Sequence, residues 1–294
     1  MGIRDGQGFL SLRYMGSLEA YQDAKAVIVG APMDWTSSFR TGSRFGPQRI
    51  RESSIGLEMF SFHQEKSLED RAYYDCGDLD LQIGNIQNSL DMIEETAKEV
   101  FKDNKFPVFL GGEHLISLPV IKQAYAKYGD ELKIIHFDAH ADLREDYLGE
   151  RYSHASVIRR ACEFVKPSNV YQIGIRSGER DEFEFAKNNT NFYPFEVVES
   201  VKKIVEEIGS KPVYVTMDVD VIDPAYADGT GTPEPGGCTS MEIFKAIMLM
   251  KDINAIGFDL VEVSPPYDLS GKTAILGAKI VREAIIAWGT QKER

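Results

Sequence analysis

Cysteine is scarce in this sequence, and no long hydrophobic segment is present. The three cysteines, Cys76, Cys162 and Cys238, lie far apart and form no CxxC pair. An odd and scattered set of this kind argues against a disulfide framework and against a thiolate zinc site. No apolar stretch approaches the roughly 18 residues that a membrane-spanning helix needs. We therefore expect a globular protein without a membrane partner, with its cysteines packed in the core.

Basic residues are outnumbered by acidic ones. The 294 residues include 33 Lys and Arg against 46 Asp and Glu, which gives a formal net charge of −13. This charge argues against nucleic acid as a partner, because the protein would repel phosphates. Residues 1–16 lack the basic start, apolar middle and cleavage site of a signal peptide, and Gly6 stands where myristoylation requires Ser or Thr. We expect a cytoplasmic location.

Short apolar stretches rich in β-branched residues alternate with periodic segments of helical length. This alternation predicts βαβ units, and therefore an α/β fold whose parallel sheet is covered by helices on both faces. The absence of linkers, repeats and low-complexity segments predicts one domain over residues 1–294. The predicted strands lie at 24–32, 106–112, 132–139, 169–176, 211–221 and 253–260, and the predicted helices at 86–104, 117–129, 196–209, 240–252 and 272–289.

Histidine and acidic residues concentrate where predicted strands end. The densest stretch is HFDAHADLREDYLGERYSH (136–154), while FLGGEH (109–114), DVDVIDP (218–224) and DLVEVSPP (259–266) follow three other strands. Open parallel sheets bind ligands beyond the carboxyl ends of their strands. Side chains two residues apart point to the same face of a strand. The spacing therefore lets six side chains converge: His114, Asp138, His140, Asp142, Asp218 and Asp220.

These six residues have the chemistry of a site for two metal ions. Four carboxylates cannot all stay ionised within a few ångströms of one another unless cations balance them. Two imidazoles and four carboxylates, without a thiolate, suit Mn²⁺ better than structural zinc. Two divalent ions roughly 3.5 to 4 Å apart activate water for hydrolysis. We therefore predict a binuclear metallohydrolase.

Each motif also has a local interpretation. DAHAD alone is typical of a polar turn, DVDVIDP of a helix cap and an Asx turn before Pro224, and GGEH of a turn in which Glu113 complements a helix dipole. One binuclear site explains all three motifs together. The parity of His136 matches that of Asp138, so spacing does not exclude His136 as a ligand. Its apolar neighbours Ile134 and Ile135 favour a hydrogen-bonded supporting role.

The motifs resemble those of the ureohydrolases, the family of arginase and agmatinase. The matching segments are SFRTGSRFGP (38–47), GGEH (111–114), DAHAD (138–142), DVDVIDP (218–224), GTPEPGG (231–237) and EVSP (262–265), together with the pair Ser153 and His154. The resemblance implies a three-layer α/β/α domain with a mainly parallel eight-stranded sheet. It also implies two Mn²⁺ per chain, cleavage of a guanidino group to urea and an amine, and a homotrimer or homohexamer.

The resemblance also assigns roles. It makes the six converging residues the metal ligands and leaves His136 outside that set. His154 corresponds to the family's proton-transfer histidine, Glu262 to the carboxylate that holds the substrate guanidinium, and Thr232 to a residue lining the pocket. Such roles are chemically consistent, because a carboxylate accepts a fork of hydrogen bonds from a planar guanidinium and a histidine moves protons near neutral pH.

The identity of the guanidino substrate depends on less specific features. SFRTGSRFGP is more like agmatinases than arginases, which favours conversion of agmatine to putrescine and urea. Arg144 stands where arginases usually carry Asn. Facing the pocket, its charge would favour a carboxylate-tailed substrate such as guanidinobutyrate or guanidinopropionate over agmatine; paired outward with Glu145 or Asp146, it would not matter. Arginine is a further alternative, and a single-zinc deacetylase is a rival from another enzyme class.

Overall fold

The computed structural model describes residues 12–289, so the N-terminal features around Gly6 lie outside the described residues. Eight strands form one sheet in the order β4-β1-β5-β10-β9-β6-β7-β8, and β2 and β3 form a separate hairpin. The strands are β1 (Ala26–Ala31), β2 (Phe60–Ser61), β3 (Lys66–Ser67), β4 (Tyr73–Asp78), β5 (Phe106–Gly111), β6 (Lys133–Phe137), β7 (Val170–Ile173), β8 (Asn191–Tyr193), β9 (Val213–Asp218) and β10 (Ala255–Val261). The helices are α1 (Gly46–Ser54), α2 (Ile86–Lys102), α3 (Ser117–Tyr128), α4 (Val157–Ala161), α5 (Arg180–Asn189), α6 (Val198–Ile208), α7 (Ser240–Leu249) and α8 (Lys272–Trp288).

Every pairing in the large sheet is parallel, which confirms the predicted fold class. The six predicted strands all belong to this sheet. Its edge strands β4 and β8 escaped the sequence pattern because β4 is interrupted by Asp75 and Gly77 and β8 is only three residues long. Helices α1, α4 and α5 were likewise not predicted, whereas the five predicted helices are present.

Two hydrophobic cores cover the two faces of the sheet. Alternate residues of one strand enter different cores: Ile135 belongs to the core that includes residues of α6 and α7, whereas Ile134 belongs to the core that includes residues of α2 and α3. This alternation follows from the two-residue period of a strand. Because both faces are buried, the strands are almost continuously apolar, and the polar residues are left for the strand ends. Among residues 12–289, no helix has both the length and the apolar character that crossing a membrane requires.

A candidate binuclear metal centre

The predicted functional side chains gather at one edge of the sheet. The four central strands β5, β10, β9 and β6 are parallel neighbours, so their carboxyl ends lie side by side. His114 follows β5, Glu262 follows β10, Asp218 ends β9 and Asp138 follows β6. Seven of the nine predicted site residues line one pocket of about 280 Å³: His114, His140, Asp142, His154, Asp218, Thr232 and Glu262. The remaining two residues contact members of this set: Asp138 contacts His114, and Asp220 contacts His140.

His114 is the centre of a first group of ligand atoms. Its Nδ1 atom lies 3.0 Å from Asp138 Oδ2, 3.2 Å from Asp142 Oδ2 and 3.4 Å from Asp218 Oδ2. All four side chains are buried. Three carboxylate oxygens around one imidazole nitrogen form a set of donors that a divalent cation can bind.

His140 and Asp220 form a second group with the other oxygen of Asp138. His140 Nδ1 lies 3.0 Å from Asp220 Oδ2 and 3.5 Å from Asp138 Oδ1. The backbone N–H groups of His140 and Ala139 donate to Asp138 and Asp220, which fixes both carboxylates. Asp138 therefore presents one oxygen to each group, as a ligand shared by two cations would.

The contacts of His114 leave one ring nitrogen available for a cation. Its Nε2 lies 2.9 Å from the Thr216 hydroxyl, which donates in turn to the buried Asp259 at 2.6 Å. This chain of contacts places a ring proton on Nε2. The buried Nδ1 has no well-aligned hydrogen bond with any described residue. Against the effect of burial, contacts with the three carboxylates of the first group raise the pKa of His114 well above its usual value, so without a cation Nδ1 carries a proton that faces these carboxylates. A cation would replace this proton, and the hydrogen-bonded opposite nitrogen is typical of metal-binding histidines.

His136 uses both of its nitrogens for hydrogen bonds. Its Nε2 lies 2.8 Å from Asp138 Oδ2, and the Gln172 amide lies 3.3 Å from its Nδ1. Burial lowers the pKa of His136, so the ring is neutral and its single proton points to Asp138. The residue is close enough to the first group to be counted with it. However, an Nε2–H donor and an occupied Nδ1 leave no lone pair for a cation, which supports the predicted supporting role.

Without cations, the carboxylates of this centre repel one another. Burial and the charge of Asp138 raise the pKa of Asp142 to about 7, and burial with the charges of Asp220 and Asp138 raises the pKa of Asp218 well above its usual range. The pKa of Asp138 is instead held far below its usual range, against the effect of burial, by contacts with His114, His136 and His140. Protons therefore take the place of cations here, and cation binding must release them.

Two residues of the pocket have a left-handed backbone that only glycine adopts readily. Asp142 has φ of 54° and Glu262 has φ of 65°. Conformations of this kind cost of order 1–3 kcal/mol and cluster at functional sites. At Glu262 the turn directs the carboxylate back into the sheet edge, where Oε1 accepts the His114 backbone N–H at 2.8 Å. The left-handed turn therefore orients Glu262, whereas Asp is a residue type that enters this region more easily than most.

His154 and Thr232 both line this pocket. His154 opens the short turn before α4 and packs its ring edge against Tyr147, with ring centres 5.6 Å apart. Burial and the nearby positive charge of His140 lower the pKa of His154 to about 4. The Thr232 hydroxyl lies 3.4 Å from Asp220 Oδ2. With this lowered pKa, the imidazole of His154 is unprotonated at neutral pH, which is the state in which a histidine takes up a proton transiently.

Arg144 faces the pocket, which was the first of the two alternatives that the sequence left open, and the outward pairing with Glu145 or Asp146 is not formed. Its Nη2 lies 3.4 Å from Glu179 and its Nε 3.6 Å from Glu182, and its guanidinium covers the Tyr147 ring at 4.9 Å. Glu145 is instead engaged by Arg159 and Arg160. Two carboxylates thus face one guanidinium on the side of the pocket where Glu179 is exposed, which is the pocket mouth.

The structure also shows a role for Glu113 that the sequence did not suggest. In addition to lying next to a helix start, where it would complement the helix dipole, Glu113 is fully buried and accepts the Thr36 backbone N–H at 2.8 Å. The contact brings the loop after β1 to the pocket, where Ser38 is part of the wall. The only hint in the sequence was that SFRTGSRFGP (38–47) lies in the segment that leads from β1 into α1.

Comparison with known proteins agrees with this arrangement. The sequence profile of the arginase family matches residues 24–287. The chain belongs to the arginase family. An agmatinase of Bacillus cereus is 50% identical over 289 residues, which cover 97% of this chain and 99% of that relative. The family assignment made from the motifs is thus confirmed.

Solved structures of arginase-family proteins share the fold as well. A protein from Clostridium difficile superposes with a TM-score of 0.89 at 37% identity, over 92% of this chain and 98% of the other. The agmatine ureohydrolase of Thermoplasma volcanium gives a TM-score of 0.86 at 34% identity, over 95% of this chain and 94% of the other. The eight-stranded sheet flanked by helices is therefore the architecture of the family.

Proposed function

We propose that this protein is a manganese-dependent hydrolase that converts agmatine to putrescine and urea. The observation that supports this function is the pair of candidate ligand groups that share Asp138, each made of imidazole and carboxylate donors. A deacetylase with a single zinc would need only one such group. The similarity to proteins named agmatinase supports the choice of substrate.

Six residues would hold the two cations: His114, Asp138, His140, Asp142, Asp218 and Asp220. Nitrogen and carboxylate donors without thiolate favour Mn²⁺ over structural zinc. The ions, when bound, activate a water molecule and stabilise the charge that develops at the carbon under attack. The protein supplies the orientation: Thr216 and Asp259 hold His114, and Gln172 and His136 hold Asp138.

Glu262 binds the substrate guanidinium in this proposal. The planar cation donates parallel hydrogen bonds, and a carboxylate is the acceptor that matches them. The backbone N–H of His114 occupies Oε1, which fixes the plane of the carboxylate toward the pocket. Burial and the charge of Glu113 raise the pKa of Glu262 well above its usual range, and a bound guanidinium would favour the ionised form.

His154 transfers a proton that the departing amine needs. Water adds to the guanidinium carbon, the bond from this carbon to the alkyl-bearing nitrogen breaks, and the water oxygen becomes the urea oxygen. The alkyl-bearing nitrogen, which carries one hydrogen, gains both protons of the water and leaves as an ammonium group. A neutral His154 beside the pocket accepts a proton released by the attacking water and delivers it to the amine. Because His154 lines the same pocket as candidate ligands and Glu262, both transfers take place within one cavity.

The mouth of the pocket suits a substrate with a cationic tail. Arg144 faces two carboxylates, Glu179 and Glu182, so the three groups together carry a surplus negative charge. This balance attracts the ammonium group of agmatine and disfavours the carboxylate of guanidinobutyrate or guanidinopropionate. The arrangement therefore supports agmatine despite the positive charge of Arg144.

The decisive experiment is urea release by protein loaded with Mn²⁺. Agmatine, arginine, guanidinobutyrate and guanidinopropionate are compared, and formiminoglutamate is tested for formamide release. We expect agmatine to have the highest kcat/KM, and His154→Ala to lose activity while retaining two metal ions per chain. Protein that holds two ions and turns over none of these compounds would refute the function.

The remaining expectations from the sequence stay proposals. A single domain over residues 1–294, a cytoplasmic location and a homotrimer or homohexamer accompany the proposed function. Light scattering coupled to size-exclusion chromatography measures the assembly directly, and a monomer at micromolar concentration would contradict the third expectation.

A further inference from the structure

The loop that follows β1 is locked to the loop that carries His114. The backbone N–H of Glu113 donates to the Met33 carbonyl at 2.6 Å. Gly112 approaches Met33 so closely that a Cβ atom at position 112 would lie 1.8 Å from the same carbonyl oxygen. A side chain at position 112 would therefore force the two loops apart. Their separation is set by the backbone.

Glu113 fastens the loop after β1 at a second point. Its Oε2 accepts the Thr36 backbone N–H at 2.8 Å and lies 3.4 Å from the Ser37 hydroxyl. Its Oε1 has no partner among the described residues. Burial of a carboxylate costs free energy unless hydrogen bonds or opposite charges compensate for the lost hydration. Here the contact fixes the backbone of Thr36.

Thr36 in turn contacts His154 twice. The Thr36 hydroxyl oxygen accepts the backbone N–H of His154 at 3.0 Å and lies 3.4 Å from its Nδ1. The Ser153 hydroxyl is 3.3 Å from the same nitrogen. Tyr147 packs against the ring from another side. Nδ1 is thus surrounded by hydroxyl groups, whereas no described carboxylate hydrogen-bonds to it.

We propose that Thr36, held by Glu113, is the positioning residue of His154; this inference rests on the proton-transfer role given to His154 in the proposed function. A hydroxyl can donate to a neutral Nδ1 and accept from a protonated one, so it serves both states of a proton carrier. A carboxylate would instead favour the protonated ring. With Thr36 donating to Nδ1, the proton of the neutral ring lies on Nε2.

Removing only the hydroxyl tests this role in the complete Mn²⁺-loaded protein. Thr36→Val keeps the shape of the side chain, and we expect kcat for agmatine to fall about 10- to 100-fold with little change in KM. Thr36→Ser keeps the hydroxyl and should restore most of kcat. Thr96→Val is the matched control, because the Thr96 hydroxyl donates to the Met92 carbonyl of its own helix and Thr96 does not line the pocket.

A double-mutant cycle separates positioning from a general loss of structure. If Thr36 acts through His154, Thr36→Val lowers kcat in the wild type but leaves the residual rate of His154→Ala unchanged. Metal content should remain two ions per chain in all variants. Additive losses in the double variant, or full activity in Thr36→Val, would overturn the inference.

A measurement that needs no turnover complements the kinetics. In protein loaded with diamagnetic Zn²⁺, the ¹⁵N shifts of His154 report which ring nitrogen carries the proton. We expect Nε2–H in the wild type and a mixture of tautomers in Thr36→Val. If the tautomer populations are the same in the wild type and in Thr36→Val, the inference is refuted, whether or not the wild type releases urea. A wild type that releases no urea would by itself refute only the proposed function.

Discussion

Replacement of Asp142 by Asn should stabilise the metal-free protein at neutral pH and destabilise the metal-loaded one. Asp142 is buried beside Asp138, and its pKa in the folded, metal-free protein is about 7 against an ordinary value of 3.8. Such a difference corresponds to about 4 kcal/mol. Because the folded pKa is raised, the unfolded chain ionises first, and stability falls as the pH rises from about 4 to about 7. The neutral amide of the variant cannot ionise and avoids this loss.

The expected effect is measurable by thermal unfolding. With chelator present, the stability of Asp142→Asn relative to the wild type should increase by about 3 kcal/mol between pH 5 and pH 7.5, or about 6 °C in Tm for a chain of this size. With Mn²⁺ the order reverses at pH 7.5. A 100-fold weaker cation affinity alone removes about 2.7 kcal/mol of binding stabilisation.

The reversal is the critical result, because a simple packing defect would change the free energy of unfolding in the same direction with and without metal. Calorimetry at one scan rate, in chelator and in Mn²⁺, compares the wild type with Asp142→Asn. If the variant is less stable than the wild type in chelator at pH 7.5, repulsion among the buried carboxylates is not the main effect of Asp142 on the stability of the metal-free protein. The electrostatic reasoning would then be wrong.

Three further predictions concern the same pocket. Thr216→Val breaks the contact that orients His114, so Mn²⁺ affinity should fall about 10- to 100-fold in equilibrium dialysis, and unchanged affinity would refute the supporting role. Asp220→Ala removes the carboxylate nearest to His140, so elemental analysis should find about one ion or none per chain instead of two. Arg144→Gln leaves Glu179 and Glu182 without their cation, so kcat/KM should rise for agmatine and fall for guanidinobutyrate; parallel changes for both compounds would contradict the charge balance inferred at the mouth.

The ends of the central strands were predictable because their signals are local. Apolar stretches reveal buried parallel strands, and polar residues directly after them must lie at the carboxyl edge. The local interpretation of DVDVIDP was also partly right. Asp218 accepts the Asp220 N–H, and Asp223 accepts the Ala225 N–H in a turn. Turn formation and ligand placement are therefore not rival explanations, since the turn aims the carboxylates.

Arg144 and Glu113 show where sequence reasoning fails. The charges nearest Arg144 in the chain are Glu145 and Asp146, but its partners come from the start of α5. Strand pairing carries Ser177, just before α5, to a bridge with His140, and no local pattern specifies such a contact. Glu113 likewise meets Thr36 only because β1 and β5 are neighbours in the sheet. Both contacts depend on strand order, which periodicity does not reveal.

The ambiguity of His136 has the same origin and a clearer physical resolution. Spacing alone did not distinguish His136 from His140 as a ligand, because both are two residues from Asp138 and would point to the same face of the strand. The difference is that His136 lies within β6 and pairs with Gln172 across the sheet, whereas His140 lies beyond the last strand residue. A residue inside a sheet is surrounded by neighbours that must satisfy its polar atoms, since water does not reach them. A residue beyond the strand end is free of that requirement and can offer its lone pair to a cation.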